Sequence, residues 1–232
     1  MNIAPSKLKT TKVLIADDHE VLADALAMII DREPQLQFVG AAGTIAACLA
    51  MAKQTCPDVI LLDVNLPDGD GLTAVPDIMR VCPEVHILVL TSLADERTLL
   101  RAIDTGVSGF VAKNRPLSEM LAAIRQAADG EITMPSSLLM GLVSRVSRAR
   151  SSGHVDRGSP GAAMLTRRER EVLKHVAHGQ SAPEIAEALD IKILTVRTHI
   201  RNLMGKLGVH SRLEAVMLAL RLGLIEAPNG SM

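Results

Sequence analysis

Five polar residues stand where short apolar runs stop. Asp17 and Asp18 follow Val13-Leu14-Ile15-Ala16, and Asp63 ends Val59-Ile60-Leu61-Leu62. Thr91 follows His86-Ile87-Leu88-Val89-Leu90, and Lys113 follows Gly109–Ala112. Carboxylates gathered at one place repel one another unless a cation or a proton intervenes. An all-oxygen set open to water suits Mg²⁺, which uses one or two carboxylates and fills its shell with water and phosphate oxygens. A lysine beside such a set is odd for metal binding alone. It has a role if a phosphoryl group is present, because ammonium and metal together neutralise the phosphoryl oxygens. Asp63 ends the most apolar run and lies between the other contributions. It is the natural nucleophile, since a carboxylate can form an acyl phosphate. Thr91 would then donate a hydrogen bond to that group.

Positioning these residues together requires a sheet. The runs alternate with stretches of helical spacing: Val21–Ile29, the Ala-rich Ile45–Gln54, Leu72–Val81, Glu96–Thr105 and Pro116–Asp129. Gln37–Gly40 supplies a further, weaker strand. Pro76 implies a late start for the third helix, and Gly106 and Gly130 close the last two. Five strand–helix pairs predict an α/β doubly wound, five-stranded parallel sheet. Nearly continuous apolar strands are what parallel strands buried on both faces require. Such sheets bind ligands at the carboxyl ends of their strands, where all five polar residues fall.

Composition limits the alternatives. A chain of 232 residues with 48% hydrophobic and 22% charged residues is neither wholly disordered nor a rod. No run approaches the roughly 18 apolar residues that would span a bilayer, and no apolar signal segment precedes Asp17, so a cytoplasmic protein is expected. Cys48, Cys56 and Cys82 are sparse, odd in number and lack metal-ligand spacing, which fits reduced thiols. Phe38 and Phe110 are the only aromatics, which argues against stacking on single-stranded nucleic acid. The net charge of −1 hides two halves. Residues 1–130 hold 11 Lys+Arg and 17 Asp+Glu, a balance of −6; residues 131–232 hold 14 and 9, a balance of +5. Two modules with different partners are implied, the basic one suited to phosphate backbones.

The basic half changes pattern. Leu138, Leu139, Leu142, Val143 and Val146 fit a short helix, and SRARSSGHVDRGSPG (147–161) reads as an exposed, flexible linker. From Met164 onward the spacing is helical throughout. Thr166–Glu169 and Ser181–Glu184 are capping boxes. A third helix runs from about Leu194 to Leu207 and stops at Gly208; a fourth runs from about Ser211 to Leu222 and stops at Gly223. This predicts an all-α, four-helix domain whose middle pair suggests a helix-turn-helix. Arg197 and Arg201 lie one turn apart on its third helix, with Thr198 beside them; Val196, Ile200, Leu203 and Leu207 form the opposite stripe. Such a helix fits a major groove, with arginine reading guanine edges or holding phosphates. The fourth helix is expected to expose Leu213, Val216, Met217 and Leu220, part of which packs on the domain.

LIADDHEVL (14–22), LLDVNLPDGDG (61–71), LVLTS (88–92) and GFVAK (109–113) resemble, in order and spacing, the signatures of a bacterial response-regulator receiver domain, a flavodoxin-like fold. The resemblance covers about residues 12–129. It implies that Asp63 is the phosphoacceptor. It further implies that Asp18 binds Mg²⁺ directly, Asp17 partly through water, and that the backbone carbonyl of Asn65 completes the protein's share. Thr91 and Lys113 would hold the phosphoryl oxygens, and Phe110 would be the switch aromatic coupled to Thr91. Asn65 and Leu93 would tune dephosphorylation. LTRREREVLKHVAHGQSAPEIAEALDIKILTVRTHIRNLMGKLGVHSRLEAV (165–216) resembles the LuxR-type helix-turn-helix. Together the two give the architecture of the NarL/FixJ response regulators. This implies contact with double-stranded DNA through Arg197, Thr198 and Arg201, with Thr195 near the backbone and Lys192 and Lys206 on phosphates. It also implies a homodimer when active, paired partly through the fourth helix, and a histidine kinase as partner. Where the family places a cap, this chain has Lys192, followed by Ile193 and Leu194. The recognition helix therefore lacks a good N-cap unless Thr195 serves and the helix starts later.

The expected organisation is a receiver domain at 11–130, a partly helical linker at 131–163 and a DNA-binding domain at 164–228. The expected function is a regulator in which phosphorylation of Asp63 gates DNA binding, not an enzyme beyond its own dephosphorylation. Taken singly, the residues admit plainer readings. Asp17-Asp18-His19 reads as a helix cap, Lys113 as a surface lysine, Phe110 as core and the cationic stripe as a solvated face. Two other functions compete: a Mg²⁺-dependent phosphohydrolase with an aspartyl nucleophile, and an interaction protein indifferent to phosphorylation. DVNLPDGDG is not an EF-hand, because Asp68 and Ala74 stand where Gly and Glu are needed.

Overall fold

The computed structural model describes residues 10–91, 96–134, 138–139, 141–145 and 165–225. The 147–161 segment, Val146 and Leu93 lie outside the described residues. Two compact units are present. One comprises residues 1–105 and 109–129; the other comprises residues 130–232, with 106–108 grouped with it.

In the first unit the apolar runs become strands β1 (Thr11–Ala16), β2 (Leu36–Ala42), β3 (Val59–Asp63), β4 (His86–Thr91) and β5 (Gly109–Ala112). All neighbouring pairs are parallel, in the order β2-β1-β3-β4-β5. Helices α1 (Glu20–Ile30), α2 (Ile45–Thr55), α3 (Val75–Val81), α4 (Glu96–Asp104) and α5 (Leu117–Ala128) alternate with them. The doubly wound sheet read from the alternation is therefore present, with β2 longer at both ends than its weak pattern implied. Pro76 does delay the third helix: Gly71–Ala74 is a 3₁₀ turn, and the proline occupies the first turn of α3. There its missing N–H leaves no intrahelical bond unmade.

Every residue of β3 is buried. One face of the sheet packs Val13, Ile15, Leu61, Leu88 and Leu90 against Leu26, Ile30, Met120 and Ile124 of α1 and α5. At about 1.5–3 kcal/mol per buried aliphatic side chain, this packing fixes the strands against sliding. The register then places the polar ends. Ala16 pairs with Leu62, so Asp17 stands level with Asp63. Asp63 pairs with Leu90, and Thr91 pairs with Ala112, one residue before Lys113.

The second unit contains α6 (Arg167–Ala177), α7 (Ala182–Ala188), α8 (Ile193–Leu207) and α9 (Arg212–Leu222). Residues 138–139 and 141–145 are also helical, with Leu139, Leu142 and Val143 buried. Thr166 and Glu169 form the expected reciprocal box: Glu169 N–H donates to Thr166 Oγ1 at 3.2 Å, and Thr166 N–H donates to Glu169 Oε2 at 2.7 Å. At the second box, Glu184 Oε2 accepts both the N–H and the hydroxyl of Ser181. Helix α8 packs on α6 and α7, and α9 packs on α6 and α8.

One expectation is corrected here. Leu213, Val216, Met217 and Leu220 are not exposed; each is at most 1% accessible. Helical spacing identified the stripe but cannot say how much of a helix its surroundings cover, and α9 also buries Ala215 and Ala219. The recognition helix lacks a good N-cap, as the sequence implied, and does not compensate by starting at Thr195. It begins at Ile193 with Lys192 as an N-cap that makes no side-chain capping bond. Packing of Val196, Ile200 and Leu203 holds the helix without a cap.

Candidate functional site

The acidic site forms at the carboxyl edge of β1 and β3, where the strand order reverses. Asp17 and Asp63 are buried, at 3% and 4% exposure, and Asp18 is exposed. Lys113, just beyond β5, places Nζ 2.7 Å from Asp17 Oδ2 and 2.7 Å from Asp63 Oδ2. It donates a hydrogen bond to Asp63. Burial alone would lower the pKa of Lys113, but the two carboxylates outweigh it and hold the ammonium above its ordinary value. The plain reading of Lys113 as a surface residue does not hold, and of Asp17-Asp18-His19 only the last residue stands at a cap position. The N-cap of α1 is His19, which makes no side-chain capping bond.

One lysine does not satisfy three carboxylates. Asp17 Oδ2 is buried with no hydrogen-bond donor aligned on it; its neighbour is the Lys113 ammonium in ion-pair contact. Ligand atoms of Asp17, Asp18, His19 and Asp63 all lie within 4.8 Å of one another. Three carboxylates converging beside a single ammonium leave negative charge in excess, and an all-oxygen set of this kind fits a hard divalent cation such as Mg²⁺. The donor set of Asp17, Asp18 and Asp63 is therefore compatible with that ion.

The remaining expected residues surround this cluster. Asn65 donates its N–H to Asp63 Oδ1 at 3.2 Å, which keeps the loop after β3 folded over the carboxylate. Thr91 is half-buried at the end of β4, and its carbonyl accepts the Lys113 N–H at 2.9 Å. That bond sets the height at which the lysine leaves the sheet. Phe110 is 5% exposed, opposite Val89.

Four residues of the site were not found by reading the sequence. His19 Nδ1 lies 3.0 Å from Asp17 Oδ1 and 2.9 Å from Asp18 Oδ1. Gly71 donates its N–H to Val64 O at 2.7 Å, and a Cβ there would sit 2.0 Å from the Asp63 carbonyl oxygen, so only glycine permits this approach. Asp68 reaches across to α2, accepting the N–H groups of Ile45 and Ala46 at 2.8 and 3.1 Å. Those bonds, Ile45's foremost, hold its carboxyl below the usual range against a smaller opposing effect of desolvation. Asp70 accepts the Leu72 N–H and pairs with Arg101 of α4. Together these contacts anchor the Asn65–Gly71 segment, a short antiparallel hairpin in which Asn65 pairs with Asp70 and Leu66 with Gly69.

The second unit presents a different surface. On α8, Lys192, Thr195, Arg197, Thr198 and Arg201 are exposed, while Val196, Ile200 and Leu203 are buried. Leu207, expected on the core stripe, is half-buried. The Thr198 hydroxyl donates to Leu194 O at 2.9 Å, one turn back along the helix. Ile193 and Leu194 are 44% and 75% exposed at the head of the helix. Lys206 differs from the rest: Nζ donates to Glu169 Oε2 at 2.8 Å, and Glu169 is 3% exposed. This lysine neutralises a buried capping carboxylate.

Comparison with known proteins bears on both surfaces. Residues 13–125 match the response regulator receiver domain, and residues 163–219 match the luxR family of bacterial regulatory proteins. The transcriptional regulatory protein YxjL of Bacillus subtilis is 33% identical over 215 residues, covering 93% of this chain and 97% of its own. The response regulator protein VraR of Staphylococcus aureus is 32% identical over 217 residues, covering 94% of this chain and all of its own. The solved RcsB response regulator of Salmonella typhimurium is 26% identical, covers 90% of this chain and 97% of its own, and superposes with a TM-score of 0.51. A structure of two RcsB dimers bound to two parallel DNAs is 25% identical, covers 92% and 99%, and gives 0.52. With an acidic strand-edge cluster in one unit and a helical DNA-binding domain in the other, the chain belongs to the two-component response regulators that join a receiver domain to a LuxR-type DNA-binding domain.

Proposed function

We propose that phosphorylation of Asp63 gates sequence-specific DNA binding by the second unit. The observation that carries this reading is the placement of Lys113 Nζ 2.7 Å from the buried carboxylates of both Asp17 and Asp63. A phosphoryl group added to Asp63 meets an ammonium already at that oxygen. Asp17, Asp18, Asp63 and the backbone carbonyl of Asn65 would hold Mg²⁺, which when bound supplies positive charge to the phosphoryl oxygens. Thr91 and Lys113 hold those oxygens from the chain's side. A histidine kinase, or a small phosphodonor, is the source, and the acyl phosphate is later lost by autodephosphorylation. The Thr91 hydroxyl turns toward the new charge, and Phe110 shifts with it.

At the other surface, Arg197, Thr198 and Arg201 face base edges in the major groove, with Thr195 and Lys192 at the backbone. Lys206 is better explained by its pairing with Glu169 than as a free phosphate contact. The active form is a homodimer, a reading supported by the RcsB dimers on DNA. The receiver occupies 11–130, the linker 131–163 and the DNA-binding domain 164–228. No helix among the described residues is long and apolar enough to cross a membrane, which is compatible with work in the cytoplasm.

The test is intact mass after incubation with acetyl phosphate and Mg²⁺, for wild type and Asp63→Asn in parallel. The expected result is a gain of one phosphoryl group in wild type that needs Mg²⁺ and is absent from the variant. Equal labelling of both proteins, or continuous hydrolysis of a phosphate ester without labelling of Asp63, would overturn the reading.

A further inference from the structure

Three cysteines, none used by the acidic site, meet on the side of the first unit where α2 packs on α3. Cys48 lies within α2, Cys56 caps its C-terminus and Cys82 caps α3. Cys56 and Cys82 converge on one acceptor. The Cys82 thiol donates to Ala52 O at 3.2 Å, and the Cys56 N–H donates to the same oxygen at 2.9 Å. The shared oxygen thus holds the Cys82 sulfur beside the Cys56 backbone.

The pair is asymmetric. Cys56 is exposed, whereas Cys82 is 5% exposed and Cys48 is fully buried. Burial and the adjacent Cys56 push the Cys82 thiol up to about 11, and burial, with Cys82 beside it, pushes Cys48 up to about 12. Both are therefore protonated at neutral pH, and neither is the group that first meets a reagent. Cys56 also holds a left-handed backbone at φ 43°. That position favours glycine at a helix end, and a side chain accepts the strain there only where surrounding contacts hold it. Soft-metal binding by all three is not favoured: among the described residues, the group able to converge on one ion is the acidic one.

We propose that Cys56 and Cys82 form a reversible disulfide, with exposed Cys56 as the attacking thiol and buried Cys82 as the resolving one. The oxidant is a low-molecular-weight disulfide. The Cys56 thiolate attacks one of its sulfurs, the small S–S bond breaks, and one small thiolate leaves. Cys82 gives its proton to solvent and attacks the Cys56 sulfur, and the second small thiolate leaves. Two protein thiols are oxidised and one small disulfide is reduced to two thiols, which take up the two protons released. The ring so closed contains β3, Asp63 and Gly71, so oxidation staples the segment that carries the acidic site.

The experiment treats the full-length protein with oxidised glutathione, alkylates the remaining thiols after unfolding in acid, and maps peptides by mass. The expected outcome is a linked Cys56–Cys82 peptide and a fall in alkylatable thiols from the three of the sequence to one, reversed by a phosphine reductant. Cys48→Ala retains the link. Cys56→Ser, at an exposed position, keeps its far-ultraviolet dichroism and loses the link. A persistent glutathione adduct on Cys56, a Cys48–Cys82 link, a dimer joined through Cys56, or no reaction would each overturn the proposal.

Discussion

The acidic edge of the first unit and the cationic face of α8 carry opposite charge, and they are built on opposite principles. At the edge, charges are buried and touch: two carboxylates under 5% exposed share one ammonium at 2.7 Å. On α8, Arg197 and Arg201 are exposed, and Val196, Ile200 and Leu203 on the other face are buried. A buried constellation is coupled to folding, so changing one member alters the rest. An exposed cationic face is coupled to a partner and is nearly silent in the free protein. The comparison separates stability from binding, and substitutions in the two regions are expected to divide along that line.

The largest effect is expected at Lys113. Lys113→Ala leaves Asp17 and Asp63 facing each other without a cation, and breaking a buried pair in this way costs about 3–5 kcal/mol. Urea unfolding would measure it. Mg²⁺ should restore more stability to the variant than it adds to wild type, because it then supplies the missing charge. Gly71→Ala comes next. Its Cβ would fall on the Asp63 carbonyl, and overpacking of this kind costs about 1–3 kcal/mol. Labelling of Asp63 should slow as the loop is displaced.

Arg201→Ala should behave in the opposite way. Its unfolding free energy should stay within about 0.5 kcal/mol of wild type. DNA affinity should fall by about 1–3 kcal/mol if the side chain reads a base, or show a salt slope reduced by about one if it binds phosphate. A variant that lost stability instead would break the division between the regions.

The smallest effect tests a place where the second unit resembles the first, a carboxylate buried against a lysine. Burial raises the Glu169 carboxyl, but hydrogen bonds from Lys206 and Thr166 outweigh it and hold the pKa below its ordinary 4.5. Because the folded pKa is depressed, the stabilisation is complete above the unfolded value and is lost as pH falls through the lower, folded one. Acid titration of stability should therefore show a loss below pH 4.5 that Glu169→Gln removes.

What the sequence made legible follows from the range of the forces involved. Strand ends were readable because an apolar run stopping at Asp63 or Thr91 is a local event, and parallel pairing then brings such ends to one edge. Pro76 and the Thr166–Glu169 box were readable because their rules span a single turn. Gly71 was not, since its need for glycine comes from the approach of Asp63 and not from a left-handed turn of its own. Lys206 was read as a phosphate contact because Glu169, 37 residues away, was invisible as its partner. The α9 stripe was correctly spaced but wrongly exposed, since periodicity shows which residues align and not how much surrounds them. The missing cap of α8 was readable at Lys192, but the start at Ile193 was not fixed by it, because packing of Val196 and Ile200 outweighs a cap worth only about 1 kcal/mol.

If phosphorylation at the buried edge controls DNA binding, the affinity of the protein for DNA must change with it. The most direct measurement is the affinity of the full-length protein for its DNA site, selected from a random duplex pool, at fixed salt. It would be made with and without acetyl phosphate and Mg²⁺, for wild type and Asp63→Asn. Tighter binding on phosphodonor treatment is expected in wild type, and no change in the variant. Equal affinity of phosphorylated and unphosphorylated wild type, or the same gain in Asp63→Asn, would contradict it.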